Sequence, residues 1–518
     1  MRKIGGVILG AALLSLTACS GGAPATGGAS EESAAVRTVF GADPSTFAPA
    51  KGTSLDDEVG SRLLFDTLIR RDADGGFVGG LATDWSATAS EASFTIRKDA
   101  TCADGTAITP TVVAESLRHF ADPETASSYK GAVFGPGTPT VTADDAADSV
   151  TVSLSEPWAD LENGMTLSFS GIVCPAGLAD LDGLAAGTVE GAFSGPYTLS
   201  KAEHGISYVF SGRDDYDAWP EFATPLTGKA PSEVSFTVVS DPGTVANQLS
   251  TGDIDYATIK NRDIERFSED QGFHLQPVPF ASHYVMFNQR DSSAFSDRKL
   301  REAVAQVIDP AAFMKASTAG LGEVFPTFVN PELQCALTDG KSLPKLDPAA
   351  GGKVLNGVKI RFVGTQLVGP NGSGNTFIQE ALRAAGADVT LENLDNSSWA
   401  TKITQEADSW DISVMVDLNV IGTATAALGK ITGAPIEDGG RSFTASKNTA
   451  AVDALSAAMV ADTVEAKCQS LEAAQAAVLG DVDVFPLGSG AASVVSAKNT
   501  TVRTFSGMLD PATVRVGQ

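Results

Sequence analysis

Basic residues are scarce in this 518-residue chain: 36 Lys and Arg stand against 63 Asp and Glu, a formal charge of −27. A field of that sign argues against nucleic acid and against a face that hugs anionic lipid. Histidine is scarcer still. His119, His204, His274 and His283 are the only four, and no two have the i, i+4 spacing of a helical metal pair. No metal and no cofactor is expected. The five cysteines include no C-x-x-C pair, so zinc or thioredoxin-type chemistry has no local support. Neither G-x-S-x-G nor H-E-x-x-H occurs, and no catalytic residue is nominated. Past residue 16 no apolar run approaches the roughly 20 residues that a spanning helix needs.

What is present begins at the N-terminus. Arg2 and Lys3 precede an apolar run over residues 4–16, and Leu16-Thr17-Ala18 leads to Cys19. Basic, apolar and small residues in that order form an export signal. Leu-x-Ala-Cys at its end is the pattern of a bacterial lipobox. Residues 1–18 are therefore expected to be a signal peptide, with Cys19 carrying lipid that anchors the protein outside the cell membrane. Residues 20–34, SGGAPATGGASEESA, hold no large apolar side chain and read as a flexible tether.

The body from about residue 35 is long enough for two or three domains. Strands and helices alternate along it. Residues 36–40 are β-branched and aromatic, like a buried strand. Val59, Leu63, Leu64 and Leu68 at helical spacing predict a helix over residues 55–69. Thr109-Pro110 opens another through Val113, Leu117 and Phe120. Residues 93–97, 150–154 and 207–211 read as strands. Further on, strand 358–363, helix 376–385 and strand 386–391 form a β-loop-α-β unit of a parallel sheet. Residues 410–416 make another apolar strand, with a helix over 450 to about 464 covering it.

Six stretches in this order carry a resemblance. Leu63-Leu64-Phe65-Asp66-Thr67-Leu68-Ile69 leads to Gly80-Leu81-Ala82-Thr83-Asp84-Trp85. Phe94-Thr95-Ile96-Arg97-Lys98 leads to Ala103-Asp104-Gly105-Thr106. Gly195-Pro196-Tyr197 precedes Tyr216-Asp217-Ala218-Trp219, and Gly252-Asp253-Ile254-Asp255 follows. Phe287-Asn288 precedes Phe295-Ser296-Asp297-Arg298-Lys299-Leu300-Arg301-Glu302-Ala303-Val304. Last, Leu382-Arg383-Ala384-Ala385-Gly386-Ala387-Asp388-Val389 precedes Trp410-Asp411-Ile412. The set resembles the extracytoplasmic solute-binding proteins of the peptide/nickel class, family 5, that serve ATP-driven importers.

The resemblance implies a two-lobed α/β fold, periplasmic-binding-protein-like and of class II. Its sheets are mixed, with helical crossovers, a hinge and an extra subdomain in lobe I. Lobe I would take residues 35–275 plus 485–518, and lobe II residues 276–484. The hinge crossings would fall near residues 280–288 and 482–488. Function then needs no chemical step: an oligopeptide or peptide-like solute closes the lobes, and a permease with its ATPase subunits reads the closure. Opines, glycosides, siderophore-like compounds and nickel chelates are alternative cargoes, and a sensor or chaperone is an alternative role. A monomer is expected. Four cysteines follow Cys19 and allow three connectivities. Pairing Cys102 with Cys174 and Cys335 with Cys468 keeps each bridge inside one lobe.

Site residues are implied more thinly. Asp43 resembles an acidic cleft-lining position, and Thr258 and Ile259 resemble lining positions after the Asp-Ile-Asp motif. His283 and Phe485 lie near the hinge crossings, and Trp410 could stack on ligand. Peptide-binding members carry a Trp and then an Asp after the Trp-Asp-Ile motif, and that Asp pairs with the peptide ammonium. Here Asp417 and Val420 occupy those positions, so either Asp417 supplies the charge from a shifted place or the ligand lacks an N-terminal amine. Residues 369–376 mimic a P-loop but hold Asn375 where the phosphate-binding Lys belongs, and are expected to be a plain turn.

Overall fold

Alternation of large apolar and polar residues sets the first sheet. In Ala35–Phe40 the side chains of Val36, Thr38 and Phe40 point inward. This strand pairs in parallel with Glu233–Val238, which continues antiparallel to Ser207–Gly212 and Tyr197–Glu203. A second four-stranded sheet, Ala82–Ala87, Glu91–Ile96, Ser149–Leu154 and Pro139–Asp144, is wholly antiparallel. It forms the extra subdomain together with helix Pro110–Ala121, whose start is capped by Thr109. These observations come from a computed structural model that describes residues 35–517 apart from Asp74, Lys341, Val420, Ser506 and Gly507. The signal peptide, Cys19 and the tether lie outside the described residues.

The third sheet has six strands in the order Tyr256–Lys260, Val484–Ala497, Phe273–Phe287, Ile412–Asp417, Lys359–Thr365, Asp388–Leu394. Its two central strands, Phe273–Phe287 and Val484–Ala497, are long and antiparallel to each other. One end of this ribbon packs into cores built from residues up to 278 and from 492 onward. The other end packs into cores built from residues 284–487. The chain is thus two-lobed, and the ribbon is shared by both lobes. Pairing slips between Pro279 and Ser282 and again between His283 and Tyr284, where the ribbon passes from one lobe to the other. Such bulges bend and twist a strand. Gly488 sits beside them at φ +126°, and a Cβ there would lie 2.1 Å from the Glu323 carbonyl oxygen, so only glycine fits.

The β-loop-α-β unit is present as Lys359–Thr365, helix Ser373–Ala384 and Asp388–Leu394, with the two strands parallel. Two helices differ from expectation. The first runs over Leu55–Leu64 only. Beyond it Phe65 is extended, Asp66 N–H donates to Ser194 Oγ, and Ile69–Arg71 pairs with Phe77–Gly79. Tertiary pairing overrides the apolar periodicity there. The helix expected over 450–464 is two helices, Thr449–Met459 and Val464–Gly480. The second starts at Thr463, whose side chain accepts from Ala466 N–H, a cap signal visible in the sequence. Disulfides join Cys102 to Cys174 and Cys335 to Cys468. Among the described residues no helix is long and apolar enough to cross a membrane.

Candidate ligand-binding cleft

Helix Leu55–Leu64 is the spine of the candidate site. Its start is fixed by a capping box between Ser54 and Asp57. Asp57 also accepts from Thr53 N–H, Ser45 N–H and Ser45 Oγ, and these bonds hold its carboxyl below the usual range despite burial. Asp56 accepts from the N–H groups of Gly41 and Ala42 and so ties the helix to the end of the first strand. A chamber of about 290 Å³ lies on the Leu55–Val59 face. Val39, Phe236, Thr258 and Ile259 are among its mostly apolar walls, with Asp56 and Lys260 the charged ones. Burial raises the Asp56 pKa and lowers that of Lys260.

A smaller cavity of about 50 Å³ lies on the Glu58–Arg62 face. Met508 and Leu509 line both cavities. The small one is charged: Arg62, Arg70 and Arg71 face Glu58 and Asp510. Arg70 is hydrogen-bonded to Asp510 and lies 3.9 Å from Asp66, which accepts from Tyr216 Oη at 2.7 Å. Arg62 Nη2 donates to the Thr166 carbonyl at 2.8 Å. Burial pushes the Glu58 carboxyl up to about 7 and that of Asp66 to about 6, and pulls Arg71 down to about 10. Among the described residues, Glu58 Oε2 and Arg62 Nη1 are enclosed and have no hydrogen-bond partner.

Among the described residues the lobes meet through Arg71, Ala159 and Lys467. Arg71 donates to the carbonyls of Ile421 and Gly422 at 3.0 and 2.7 Å, and to Asn163 Oδ1 at 3.0 Å. Ala159 N–H donates to the Met459 carbonyl at 3.2 Å. Lys467 Nζ reaches the Ala159 carbonyl at 2.8 Å and Asp160 Oδ1 at 2.5 Å, with both side chains nearly buried. Ile421 of lobe II also packs on the lobe-I subdomain core. The lobes are thus in contact, and Gly422 of lobe II helps wall the small cavity.

Of the residues nominated from sequence, Thr258 and Ile259 line the large chamber. The others lie elsewhere. Asp43 accepts from Gly205 N–H and Tyr208 Oη, both at 2.7 Å, and staples the first strand to the Tyr197–Glu203 and Ser207–Gly212 hairpin. Trp410 is fully buried in a lobe-II core, its Nε1 donating to the Ile403 carbonyl at 3.3 Å, so it packs rather than stacks on ligand. Phe485 is likewise a core residue. His283 is buried on the ribbon, held down to about 4 by desolvation, edge-on to Phe313, and reaches neither cavity. Asp417 is buried and hydrogen-bonded to Lys430 and to Asn419 N–H. Its charge is already matched, so it offers none to a ligand ammonium. Val420 lies outside the described residues. Of the P-loop mimic, Pro370–Gly372 is a turn and Ser373 onward is already helix, where buried Asn375 donates to the Thr365 carbonyl and Asn393 Oδ1. Among the described residues no group of three or more His, Cys, Asp or Glu is placed to hold a metal. Sequence reading missed Glu58, Arg62, Arg71, Asp160 and Lys467. Glu58 and Arg62 are an i, i+4 pair on a recognisable helix, but that spacing usually marks a solvated face.

Known proteins share this architecture. Residues 76–429 match the family model described as bacterial extracellular solute-binding proteins, family 5 Middle. The periplasmic murein peptide-binding protein MppA of Escherichia coli (strain K12) is 25% identical over 316 residues, covering 57% of this chain and 56% of MppA. The match thus spans about half the length of that relative. A substrate binding protein from Microbacterium hydrocarbonoxydans, complexed with 4-hydroxybenzoate hydrazide, is 42% identical with a TM-score of 0.78, and 93% of this chain covers 100% of it. NikA from Brucella suis, in complex with Fe(III)-EDTA, shares the fold at 17% identity and a TM-score of 0.77, over 93% of this chain and 100% of NikA. The family model spans more than half of the chain, and the Microbacterium protein matches it almost throughout. The chain belongs to the bacterial extracellular solute-binding proteins of family 5.

Proposed function

We propose that the chain captures a compact organic solute, aromatic in part, between its lobes and delivers it to an ATP-driven importer. The observation that carries this reading is the chamber of about 290 Å³ with mostly apolar walls from lobe I, beside the smaller cavity that Gly422 of lobe II helps to wall. Small-molecule sites run from roughly 300 Å³ upward, so the chamber suits one ring with substituents rather than an extended oligopeptide. Two facts add support. Asp417 is matched by Lys430, which leaves no carboxylate at that position for a peptide ammonium. The 42%-identical Microbacterium protein is complexed with 4-hydroxybenzoate hydrazide. A short peptide is the second reading, favoured by the likeness to MppA.

Delivery follows from a shift of population. A ligand touching both lobes binds the closed form better and raises its share. Bending is assigned to the ribbon bulges between Pro279 and Tyr284 and to the Gly488 segment. A permease and its ATPases would read the closed form. The lipobox at Cys19 supports a lipid anchor, and Cys19→Ala should release the protein from membranes into the soluble fraction. Unchanged membrane retention would sink the anchor.

The binding test uses the chain from residue 35 onward. Calorimetry against monoaromatic amides and hydrazides should show binding, and small-angle scattering should show compaction on saturation. Lys467→Ala should weaken binding by roughly tenfold, because a latch of the closed form is lost, an ordinary size for a coupling between sites. Tight binding of tripeptides with none of the aromatic solutes would replace this reading by the second.

A further inference from the structure

We propose that the small cavity on the Glu58–Arg62 face is a subsite for a neutral carboxamide or hydrazide head group. The head donates an N–H to Glu58 Oε2 and accepts from Arg62 Nη1 with its carbonyl oxygen. The inference rests on the compact-solute reading and names the chemistry of one end of that solute.

The argument is one of unmet bonding capacity. Among the described residues, every charged group around the cavity except two has its full set of partners. Arg70 holds Asp510 and Asp66. Arg71 holds Gly422, Ile421 and Asn163. Arg62 Nη2 holds Thr166. Among the described residues, what is left is one enclosed donor, Arg62 Nη1, and one enclosed acceptor, Glu58 Oε2. Buried polar atoms are seldom left so, and an exception calls for a missing partner. The two belong to residues one helical turn apart and line the same 50 Å³ space.

Charge decides which partner. Three guanidiniums around the cavity meet three carboxylates when Asp66 behind Arg70 is included. A ligand carboxylate would satisfy Arg62 and be repelled by Glu58 and Asp510. An ammonium would satisfy Glu58 and face Arg62, Arg70 and Arg71. A carboxamide or hydrazide carries a donor and an acceptor side by side and no net charge, so it meets both without opposing either. Specificity of this kind is strong, because an analogue lacking one group leaves its buried partner unpaired. The cavity adjoins the large chamber at Met508 and Leu509, which fits an aromatic body in the chamber and a polar head in the cavity. Gly422 is also in the cavity wall, so the head is the part of the ligand that lobe II touches on closure.

The test is calorimetric titration at pH 8 with four probes on one ring: 4-hydroxybenzamide, 4-hydroxybenzoate hydrazide, 4-hydroxybenzoate and 4-hydroxybenzylamine. The amide and hydrazide should bind at least about tenfold more tightly than either charged probe, a difference of about 1.4 kcal/mol. Glu58→Gln should move the carboxylate up relative to the amide, and Arg62→Gln should move the ammonium up. A merely structural role would change all four affinities together. Thermal unfolding of both unliganded variants checks that they fold. A charged probe preferred by the native chain would overturn the subsite. So would variants that shift the four probes equally or not at all, which would leave water only in the cavity. If none of the four binds the native chain, the compact-solute reading falls and the subsite falls with it.

Discussion

Arg301→Ala should lower the free energy of unfolding by about 3–5 kcal/mol, the cost of breaking a buried charge constellation by removing one member. Arg301 is 2% exposed, and its guanidinium is spent on the chain around it. Nε donates to the Val482 carbonyl, Nη1 to those of Phe295 and Ser296, and Nη2 to Asp481 through both its carbonyl and its carboxylate. Asp483 lies 3.9 Å away, fully buried, and also accepts from Gln289, Ser446 and Asn448. Truncation would strand four carbonyl groups and leave Asp483 without its cation. Because Asp481 and Val482 lead directly into Val484–Ala497, the damage would fall on the ribbon shared by the lobes. Denaturant titration measures the loss. Arg301→Lys should recover only part of it, since an ammonium cannot reach carbonyls on both sides at once. A change below about 1 kcal/mol would show that water replaces the guanidinium.

Glu58→Gln should make the protein more stable at pH 8, by on the order of 2–3 kcal/mol, and change little at pH 5. The sign follows from the folded-state pKa, which burial raises from 4.5 to about 7. A carboxyl raised in this way prefers its proton in the folded chain. Its favourable contribution is full below about pH 4.5 and is lost as pH rises through about 7. Arg62 and Arg71 oppose the shift and Asp510 adds to it. A glutamine carries no charge to desolvate at any pH. Thermal midpoints of the two proteins between pH 5 and pH 8 give the gap. A gap independent of pH would mean that Glu58 is solvated in the folded state. A side chain that weakens its own fold at neutral pH needs another reason to be there, and the candidate subsite supplies one.

Much of the scaffold was legible because it rests on local rules. Thr109-Pro110 announces a helix through a cap and a fixed φ, and the helix is there. Alternation in residues 36–40 gives a strand, and the β-loop-α-β unit has the expected parallel pairing. Legibility failed where distant chain took over. The apolar period through Leu68 continues past Leu64, yet Ser194 and the Phe77–Gly79 strand pull residues 65–71 out of the helix. The site was harder still. Thr258 and Ile259 follow a motif on a strand of the central sheet, and they line the large chamber. Asp43 and Asp417 were plausible as bare carboxylates, and only their partners, Tyr208 and Lys430, reveal that they are already engaged. Those partners lie 165 and 13 residues away, and nothing in either local sequence points to them.

The place of Val484–Ala497 in the sheet bears on when the fold can close. It lies between Tyr256–Lys260 and Phe273–Phe287, two strands that are neighbours in sequence. Its pairing of Thr258 with Val494 closes a loop of well over two hundred residues. Contacts so remote in sequence must wait for loop closure and are slow to form. Until residues beyond 484 have emerged, the lobe-I edge of Tyr256–Lys260 has no partner and the cores on either side stay incomplete. The intercalated strand therefore makes the central sheet one of the last parts of the fold to close, since the sheet stays split until the C-terminal segment arrives.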